Sequence, residues 1–198
     1  MTDKYKHVMI DIEALGKNNK APVVTVGAVF FDPIKNKIGP KFYERITLES
    51  AMEAGAIPDA STIIYWLDKP DAARQQIIGA TQHIAVALRM FNAWLIEHSI
   101  SMKNLRVWAN GPTYDIVILE SAFRMLGFEP PWEYYRVRCV RTAVEFGRWD
   151  DFNPKYDMPF EGTPHHAADD ALHQVRYVSA IVSRLFAFND EEKEKAKP

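Results

Sequence analysis

The hydrophobic period of the chain changes near residue 50, and this change limits the folds that the chain can adopt. Before it, residues 7–12 and 23–31 are largely apolar runs, and residues 42–48 alternate loosely between apolar and polar side chains. Such segments are typical of β-strands, and their short connections favour antiparallel pairing. After it, apolar residues recur every three or four positions, which is typical of amphipathic helices.

The second part of the chain predicts helices with two short strands between them. Ser61 is expected to cap a short helix ending at Leu67, and Pro70 fits the first turn of the next helix. The apolar spacing predicts further helices from residue 84 over about four turns, from residue 112 or 113 to Gly127, and over residues 167–186. Strands are expected at residues 105–109 and 137–140. This order predicts an α/β domain with a mixed β-sheet.

Length and composition favour one ordinary globular domain. The 198 residues contain no internal repeat and no long linker, and 47% of them are hydrophobic. We expect a single domain over residues 1–188. Residues 189–198 are almost wholly charged and offer no apolar face, so this segment is expected to be a disordered tail.

Charge and cysteine content exclude some classes of function. The 24 basic and 26 acidic residues give a net charge of −2, which argues against a protein held to nucleic acid mainly by positive charge. An enzyme acting on nucleic acid is still compatible with this net charge, because acidic residues that bind metal ions make the net charge more negative. Cys139 is the single cysteine, no apolar run approaches a membrane span, and no signal peptide is recognisable. We expect a cytoplasmic protein without membrane contact.

Two carboxylates lie at the end of the first predicted strand. Asp11 and Glu13 are two residues apart, so on a strand both side chains point to the same face. Like charges on one buried face repel each other, and a divalent cation between them removes that cost. Oxygen ligands suit Mg²⁺ or Mn²⁺. The structural alternative is that the two carboxylates only face solvent at the end of the strand.

Three more polar residues lie near the starts of later helices. Asp115 follows the turn at residues 110–112, and His165 precedes Asp170 at the start of the last helix. Carboxylates interact favourably with a helix N-terminus, and a histidine in a loop is usually only solvated. Each residue alone therefore has a structural explanation, but the order of all five residues along the chain is far more specific.

These residues lie in three motifs: Asp11 and Glu13 in IDIEALG, Asp115 in NGPTYD, and His165 with Asp170 in HHAADDA. With them, the chain resembles the DnaQ-like 3′–5′ exonucleases of the DEDDh type over residues 7–185. It is most similar to small phage- and prophage-encoded exonucleases of the DexA type and to related bacterial exoribonucleases. The resemblance implies an RNase H-like fold, in which three antiparallel strands and then parallel strands form a mixed sheet flanked by α-helices.

The resemblance also implies a mechanism. Asp11, Glu13, Asp115 and Asp170 are expected to hold two Mg²⁺ or Mn²⁺ ions about 3.5–4 Å apart, as in other two-metal hydrolases. One ion activates a water molecule, and the other stabilises the departing 3′-oxygen. His165 is the expected general base, because histidine titrates close to neutrality, and His166 is its rival.

Five residues are candidates for substrate contact: Ala14, Leu15, Trp66, Arg138 and Arg141. The resemblance implies that Leu15 wedges against the terminal base, and Trp66, next to Tyr65, is a candidate for stacking on a base. The two arginines are candidates for phosphate binding. Core packing for the apolar residues, and a solvated basic face for the arginines, are the structural alternatives. Ala14 and Cys139 depart from the relatives, which often have Thr and Asp there.

The expected function is metal-dependent hydrolysis of single-stranded nucleic acid from its 3′ end to nucleoside 5′-monophosphates. DNA is the first choice of substrate and RNA the alternative. The expected partners are 3′ ends of single-stranded DNA or RNA, and by resemblance a second copy in a homodimer. A phage-encoded protein would act in the host cytoplasm. A catalytically silent nucleic-acid-binding module and a nucleotide phosphatase with the same metals are the competing interpretations, and five convergent site residues argue against the silent module.

Overall fold

A five-stranded mixed β-sheet forms the centre of the fold, in a computed structural model that describes residues 3–195 except for the side chains of Lys155 and residues 187–195. The strands are β1 (His7–Ala14), β2 (Val23–Asp32), β3 (Lys37–Arg45), β4 (Arg106–Ala109) and β5 (Val137–Cys139). Their order across the sheet is β3-β2-β1-β4-β5. The first three strands pair antiparallel, whereas β4 runs parallel to β1 and β5 parallel to β4. The predicted mixed sheet is confirmed.

Eight helices connect and flank the strands in the part of the chain that the structure describes. They are α1 (Leu48–Glu53), α2 (Ala60–Leu67), α3 (Asp71–Arg74), α4 (Ile84–His98), α5 (Asp115–Met125), α6 (Val140–Arg148), α7 (Pro154–Asp157) and α8 (Ala167–Lys195). Short 3₁₀ turns precede β4 and β5. None of these helices is long and apolar enough to cross a membrane.

Helices cover both faces of the sheet, so alternate residues of the central strands enter two different cores. On one face, Val8, Ile10 and Phe30 pack with the apolar residues of α4 and α5. On the other face, Met9 and Phe31 pack with α6 and α8. Burial on both faces explains why β2 is an unbroken apolar run rather than an alternating one.

Local hydrogen bonds explain two shifts from the predicted boundaries. The Asp32 carboxylate accepts hydrogen bonds from the N–H groups of Ile34 and Lys35, which makes a tight turn and lets β3 begin at Lys37 instead of residue 42. Asp59, rather than Ser61, caps α2, because its carboxylate accepts a hydrogen bond of 3.2 Å from the Ser61 N–H.

Three helices, α1, α6 and α7, were not predicted, and one, α8, is longer than predicted. Helix α6 is missing from the prediction although its buried residues, Val140, Val144 and Gly147, recur at helical spacing. Helix α8 continues to Lys195, nine residues beyond the predicted end at Phe186. The added residues are mainly Glu and Lys, which favour helix. The domain boundary at residue 188 stays a prediction.

Gly27 allows the first turn of α8 to lie directly on the sheet. A Cβ at this position would lie 2.1 Å from the carbonyl carbon of Ala167 and 2.2 Å from the amide nitrogen of Ala168. In the β1–β2 register, Gly27 pairs with Asp11. This close approach therefore brings the start of α8, with Asp170, to the part of β1 that carries the acidic residues.

Gly27→Ala is expected to lower the free energy of unfolding by about 3 kcal/mol, because the new methyl group meets backbone atoms that move only with α8. Urea unfolding followed by circular dichroism measures this loss. Gly111→Ala is the control, since the nearest atom to its Cβ would be the flexible guanidinium of Arg141, at 3.4 Å. Equal losses in the two variants would contradict the packing explanation.

Candidate active site

Three carboxylates meet where β1 ends and α8 begins. Asp11 and Glu13 lie on β1, and Asp170 lies in the first turn of α8. Oxygen atoms of all three carboxylates lie within 4.8 Å of one another. We call these three residues the acidic cluster. Oxygen ligands this close together suit a divalent cation such as Mg²⁺ or Mn²⁺, so the residues present fit the predicted metal.

Asp115 lies beside the acidic cluster rather than within it. It is the first residue of α5, and it is 6% exposed. Its Oδ2 accepts a hydrogen bond of 3.2 Å from the Gly111 N–H, and its Oδ1 lies 3.5 Å from the Ile12 nitrogen, a long contact. These contacts hold the side chain between β1 and the turn after β4. The structure thus brings all four predicted acids into one region.

Burial and mutual repulsion disfavour the ionised forms of these acids in the absence of a cation. Burial, and then the charges of Asp115 and Asp170, raises the pKa of Asp11 well above its usual range. Burial, and then the charge of Asp11, does the same for the pKa of Glu13. Burial raises the pKa of both Asp115 and Asp170 to about 6. A divalent cation would reverse these shifts, because it favours the charged carboxylates.

The stability of the metal-free protein is expected to fall as the pH rises from 4 to 7. The pKa of Asp115 rises from 3.8 to about 6 on folding, so the folded state binds this proton more tightly than the unfolded state. The resulting stabilisation is present below pH 4 and lost as the pH rises through 6, an effect of up to about 3 kcal/mol. Thermal unfolding in EDTA at stepped pH values measures the change.

Mn²⁺ is expected to raise the melting temperature strongly at pH 7 and little at pH 4. At pH 7 the cation binds charged carboxylates, whereas at pH 4 it competes with bound protons. The same thermal unfolding experiment with added MnCl₂ measures both increments. Increments of equal size at the two pH values would contradict the assignment of these carboxylates as the cation ligands.

The two neighbouring histidines have different environments. The His165 ring contacts the edges of Tyr65 and Trp66, and its imidazole makes no hydrogen bond among the described residues. The His166 ring stacks on Tyr43 with 4.0 Å between ring centroids, and its Nδ1 accepts a hydrogen bond from the Asp169 N–H. His166 therefore has a structural role in the turn before α8, whereas the ring of His165 is available for another contact.

His165 also has an unusual backbone conformation. Its φ is +65°, in the left-handed region that residues other than glycine rarely adopt. Burial raises the pKa of the Asp170 carboxyl and the backbone of His165 lowers it to a smaller extent, so this turn lies next to the acidic cluster. Burial, and then the charge of Lys69, lowers the pKa of His165 below its ordinary value. The imidazole is therefore neutral at pH 7.

Three of the predicted substrate contacts, Ala14, Leu15 and Trp66, are buried next to the acidic cluster. Leu15 packs with Trp66 in a small core, and each is 5% exposed. The Trp66 indole N–H donates to the Ala14 carbonyl at 3.3 Å. This arrangement favours core packing for both side chains, while the neighbouring Tyr65 is 46% exposed. Contact of Ala14, Leu15 and Trp66 with substrate stays a prediction.

The two predicted phosphate ligands differ in their surroundings. The Arg138 guanidinium donates to the backbone carbonyls of Tyr135 and Val137, which hold it along the edge strand β5. Arg141 is exposed at the start of α6, and its positive charge acts on the Asp115 carboxylate. Arg141 is therefore the arginine placed beside the acids. Nothing in the structure explains Cys139 at the end of β5.

Sequence reasoning missed Tyr114, Lys69 and Gln174. The Tyr114 hydroxyl donates to the Gly16 carbonyl at 2.9 Å, and burial, and then the charge of Asp115, raises its pKa to about 12. Lys69 lies over the Tyr65 ring, 3.8 Å from its centroid. Tyr114 directly precedes Asp115, and Lys69 lies four residues beyond Tyr65, so both had a local signal, whereas the contact of Gln174 depends on tertiary structure.

Solved structures share this fold. The nuclease domain of 3′hExo, a DEDDh family member bound to rAMP, matches with a TM-score of 0.64 at 13% identity, over 93% of this chain and 95% of that one. E. coli ExoI, in a zinc-bound complex with single-stranded DNA, matches with a TM-score of 0.66 at 12% identity, over 94% of this chain and 43% of that one. At these identities the likeness shows the RNase H-like fold alone. With the acids in their order, it indicates the class of DEDDh-type 3′–5′ exonucleases.

Sequence comparison identifies the family. The model of the 3′–5′ exoribonuclease Rv2179c-like domain matches residues 6–182, and the chain belongs to this family. The exodeoxyribonuclease of Enterobacteria phage T4 is 25% identical to it in an alignment of 159 positions, and the alignment covers 69% of this chain and 70% of the phage protein. The chain is thus a 3′–5′ exonuclease of the DEDDh type, and the DnaQ-like resemblance is confirmed.

Proposed function

We propose that this exonuclease hydrolyses single-stranded nucleic acid to nucleoside 5′-monophosphates, with Asp11, Glu13, Asp115 and Asp170 as ligands of two divalent cations and His165 as general base. The observation that supports this proposal is the acidic cluster, in which carboxylate oxygens lie within 4.8 Å of one another. So many partly buried like charges this close together are unfavourable without a cation. A structural role alone does not account for them.

The carboxylates would hold the cations, and Mg²⁺ and Mn²⁺ both suit them. When bound, such ions supply Lewis-acid chemistry, which activates water and stabilises a departing oxygen. Besides burial, the charge of Asp115 raises the pKa of both Asp11 and Glu13, so Asp115 lies close enough to the acidic cluster to share its cations. The Gly111 N–H keeps the Asp115 carboxylate in place for this role.

His165 would accept the proton of the attacking water. A general base must be unprotonated before the reaction, and the lowered pKa of this imidazole keeps it neutral at pH 7. Its ring makes no hydrogen bond among the described residues that would compete with the water. The turn that carries His165 lies next to Asp170, a proposed metal ligand, so both residues would act on the same water molecule.

Exposed residues around the site would contact the 3′-terminal nucleotides. Tyr65 is 46% exposed and touches the His165 ring at its edge, so a base can stack on it. Lys69 and Arg141 add positive charge near Tyr65 and Asp115, where phosphates would lie. These contacts are independent of base sequence, in agreement with an enzyme that shortens single strands of any sequence.

The comparisons point to both polymers, so the predicted order of substrates, DNA first and RNA as the alternative, stays a prediction. The match to an exoribonuclease domain family spans residues 6–182, which favours RNA. The phage T4 relative is an exodeoxyribonuclease, which favours DNA. The homodimer expected from the resemblance stays a prediction that size-exclusion chromatography with light scattering tests.

The first experiment uses 5′-labelled single-stranded RNA and DNA of one sequence, with Mn²⁺, Mg²⁺ or EDTA. We expect a ladder of shortened products from the 3′ end that requires metal, and the faster polymer is the substrate. Asp115→Asn tests the site, since it is expected to abolish the ladder. Metal-independent shortening would contradict the proposed chemistry, and phosphate release from mononucleotides without any ladder would indicate a phosphatase.

A further inference from the structure

Gln174 lies one helical turn beyond Asp170 on α8, so both side chains point to the same side of the helix. The residue is 4% exposed. Its Nε2–H donates a hydrogen bond of 2.7 Å to Oδ1 of Asp11. A neutral amide donor therefore contacts a carboxylate of the acidic cluster from inside the protein.

The side-chain oxygen of Gln174 indicates that packing alone does not explain why a glutamine occupies this position. Oε1 of Gln174 is buried and has no hydrogen-bond partner within the described part of the chain. An unsatisfied buried oxygen destabilises the folded state, and an apolar side chain of similar shape, such as Met, would avoid that cost. The hydrogen bond to Asp11 is the contribution that an apolar residue cannot make.

The chemistry of the donor suits a residue that supports a metal ligand. A lysine or arginine in this place would add a positive charge that competes with a cation for the carboxylate. The amide of Gln174 holds one oxygen of Asp11 without adding charge. Hydrogen bonds of this kind orient the carboxylates that bind metals, and their loss weakens metal binding.

We propose that Gln174 is a positioning residue that holds the Asp11 carboxylate in the orientation in which it binds a divalent cation. The inference rests on the proposed function, because it takes Asp11 as a metal ligand. Gln174 itself contacts neither the cation nor the substrate. Its loss therefore weakens cation binding more than it lowers the rate at saturating cation.

Gln174→Met tests this proposal, because it keeps the length of the side chain and removes the donor. Isothermal titration calorimetry with MnCl₂ is expected to show Mn²⁺ affinity reduced about 10- to 100-fold. The Mn²⁺ concentration for half-maximal activity is expected to rise by a similar factor, while the rate at saturating Mn²⁺ changes less. If the Met variant does not fold, Gln174→Asn replaces it in the test. Its amide is one methylene too short to reach Asp11, so the same loss of Mn²⁺ affinity is expected.

Ser179→Ala is the matched control. Ser179 is a second buried polar residue on α8, five residues beyond Gln174, and its loss is expected to leave Mn²⁺ affinity unchanged. Wild-type Mn²⁺ affinity in Gln174→Met, or an equal loss in Ser179→Ala, would overturn the positioning role and leave the proposed function standing. A wild-type protein that neither binds Mn²⁺ nor needs it for activity would overturn both.

Discussion

Asp170→Asn is expected to reduce the rate of 3′ shortening at least about 1,000-fold at saturating Mn²⁺. Asp170 belongs to the acidic cluster, so Asn removes one charged ligand while keeping the shape of the side chain. Transition-state stabilisation by a bound metal is worth several kcal/mol, and about 4 kcal/mol corresponds to a thousandfold change in rate. Initial rates on a 5′-labelled single strand at several Mn²⁺ concentrations measure the loss.

Asp169→Asn is the matched control, because it makes the same change at the preceding residue. The Asp169 carboxylate accepts a hydrogen bond of 3.0 Å from the Thr163 N–H and lies 3.5 Å from Nδ1 of His166, so it contacts the turn before α8. We expect this variant to keep at least about a tenth of the activity. Asp170→Asn should also melt no lower than the wild type in EDTA, since it removes a repulsive charge. Similar activity in the two variants would refute the assignment.

His165→Ala is expected to lower kcat by about 10²–10⁴, the usual contribution of a general base. Because this imidazole makes no hydrogen bond among the described residues and is not one of the proposed metal ligands, Mn²⁺ affinity and thermal stability are expected to change little. Single-turnover rates on a short labelled strand, together with calorimetric titration of Mn²⁺, separate the two effects. Near-normal kcat in this variant would exclude His165 as the base.

His166→Ala makes the same change at the rival histidine. Its ring stacks on Tyr43 and accepts a hydrogen bond from the Asp169 N–H, so its loss is expected to lower the melting temperature rather than kcat. His165→Ala should therefore lower kcat and leave the melting temperature nearly unchanged, and His166→Ala should do the reverse. A large loss of kcat in His166→Ala with little loss in His165→Ala would assign the base to His166.

Much of the site could be predicted because its residues follow local rules. Strand alternation places Asp11 and Glu13 on one face, and they do lie in the acidic cluster. The order of the motifs also predicted that Asp170 lies near them, and the structure brings it there. The close contact depends on Gly27, whose missing side chain lets the first turn of α8 approach β2, and no local pattern predicts that role.

Other features depend on contacts that local patterns do not encode. The aromatic side chain of Trp66 is suited to stacking on a base, but the structure buries it against Ala14 and exposes Tyr65 instead. His165 and His166 are adjacent and equivalent in the sequence, and the stacking of His166 on Tyr43 is one of the contacts that distinguish them. In both cases the partner is more than 50 residues away along the chain.

The sequence by itself determined the α/β class, the antiparallel order of the first three strands and the five residues proposed for catalysis. The class and the strand order follow from hydrophobic period and short connections, which are properties of neighbouring residues, whereas the five residues follow from the resemblance of three motifs to a known family. Only the tertiary structure decided which acids lie within 4.8 Å of one another, which of the two histidine rings makes no hydrogen bond among the described residues, and that Gln174 donates a hydrogen bond to Asp11. Gln174 and Asp11 are 163 residues apart, and such a contact exists only after α8 has packed on the sheet.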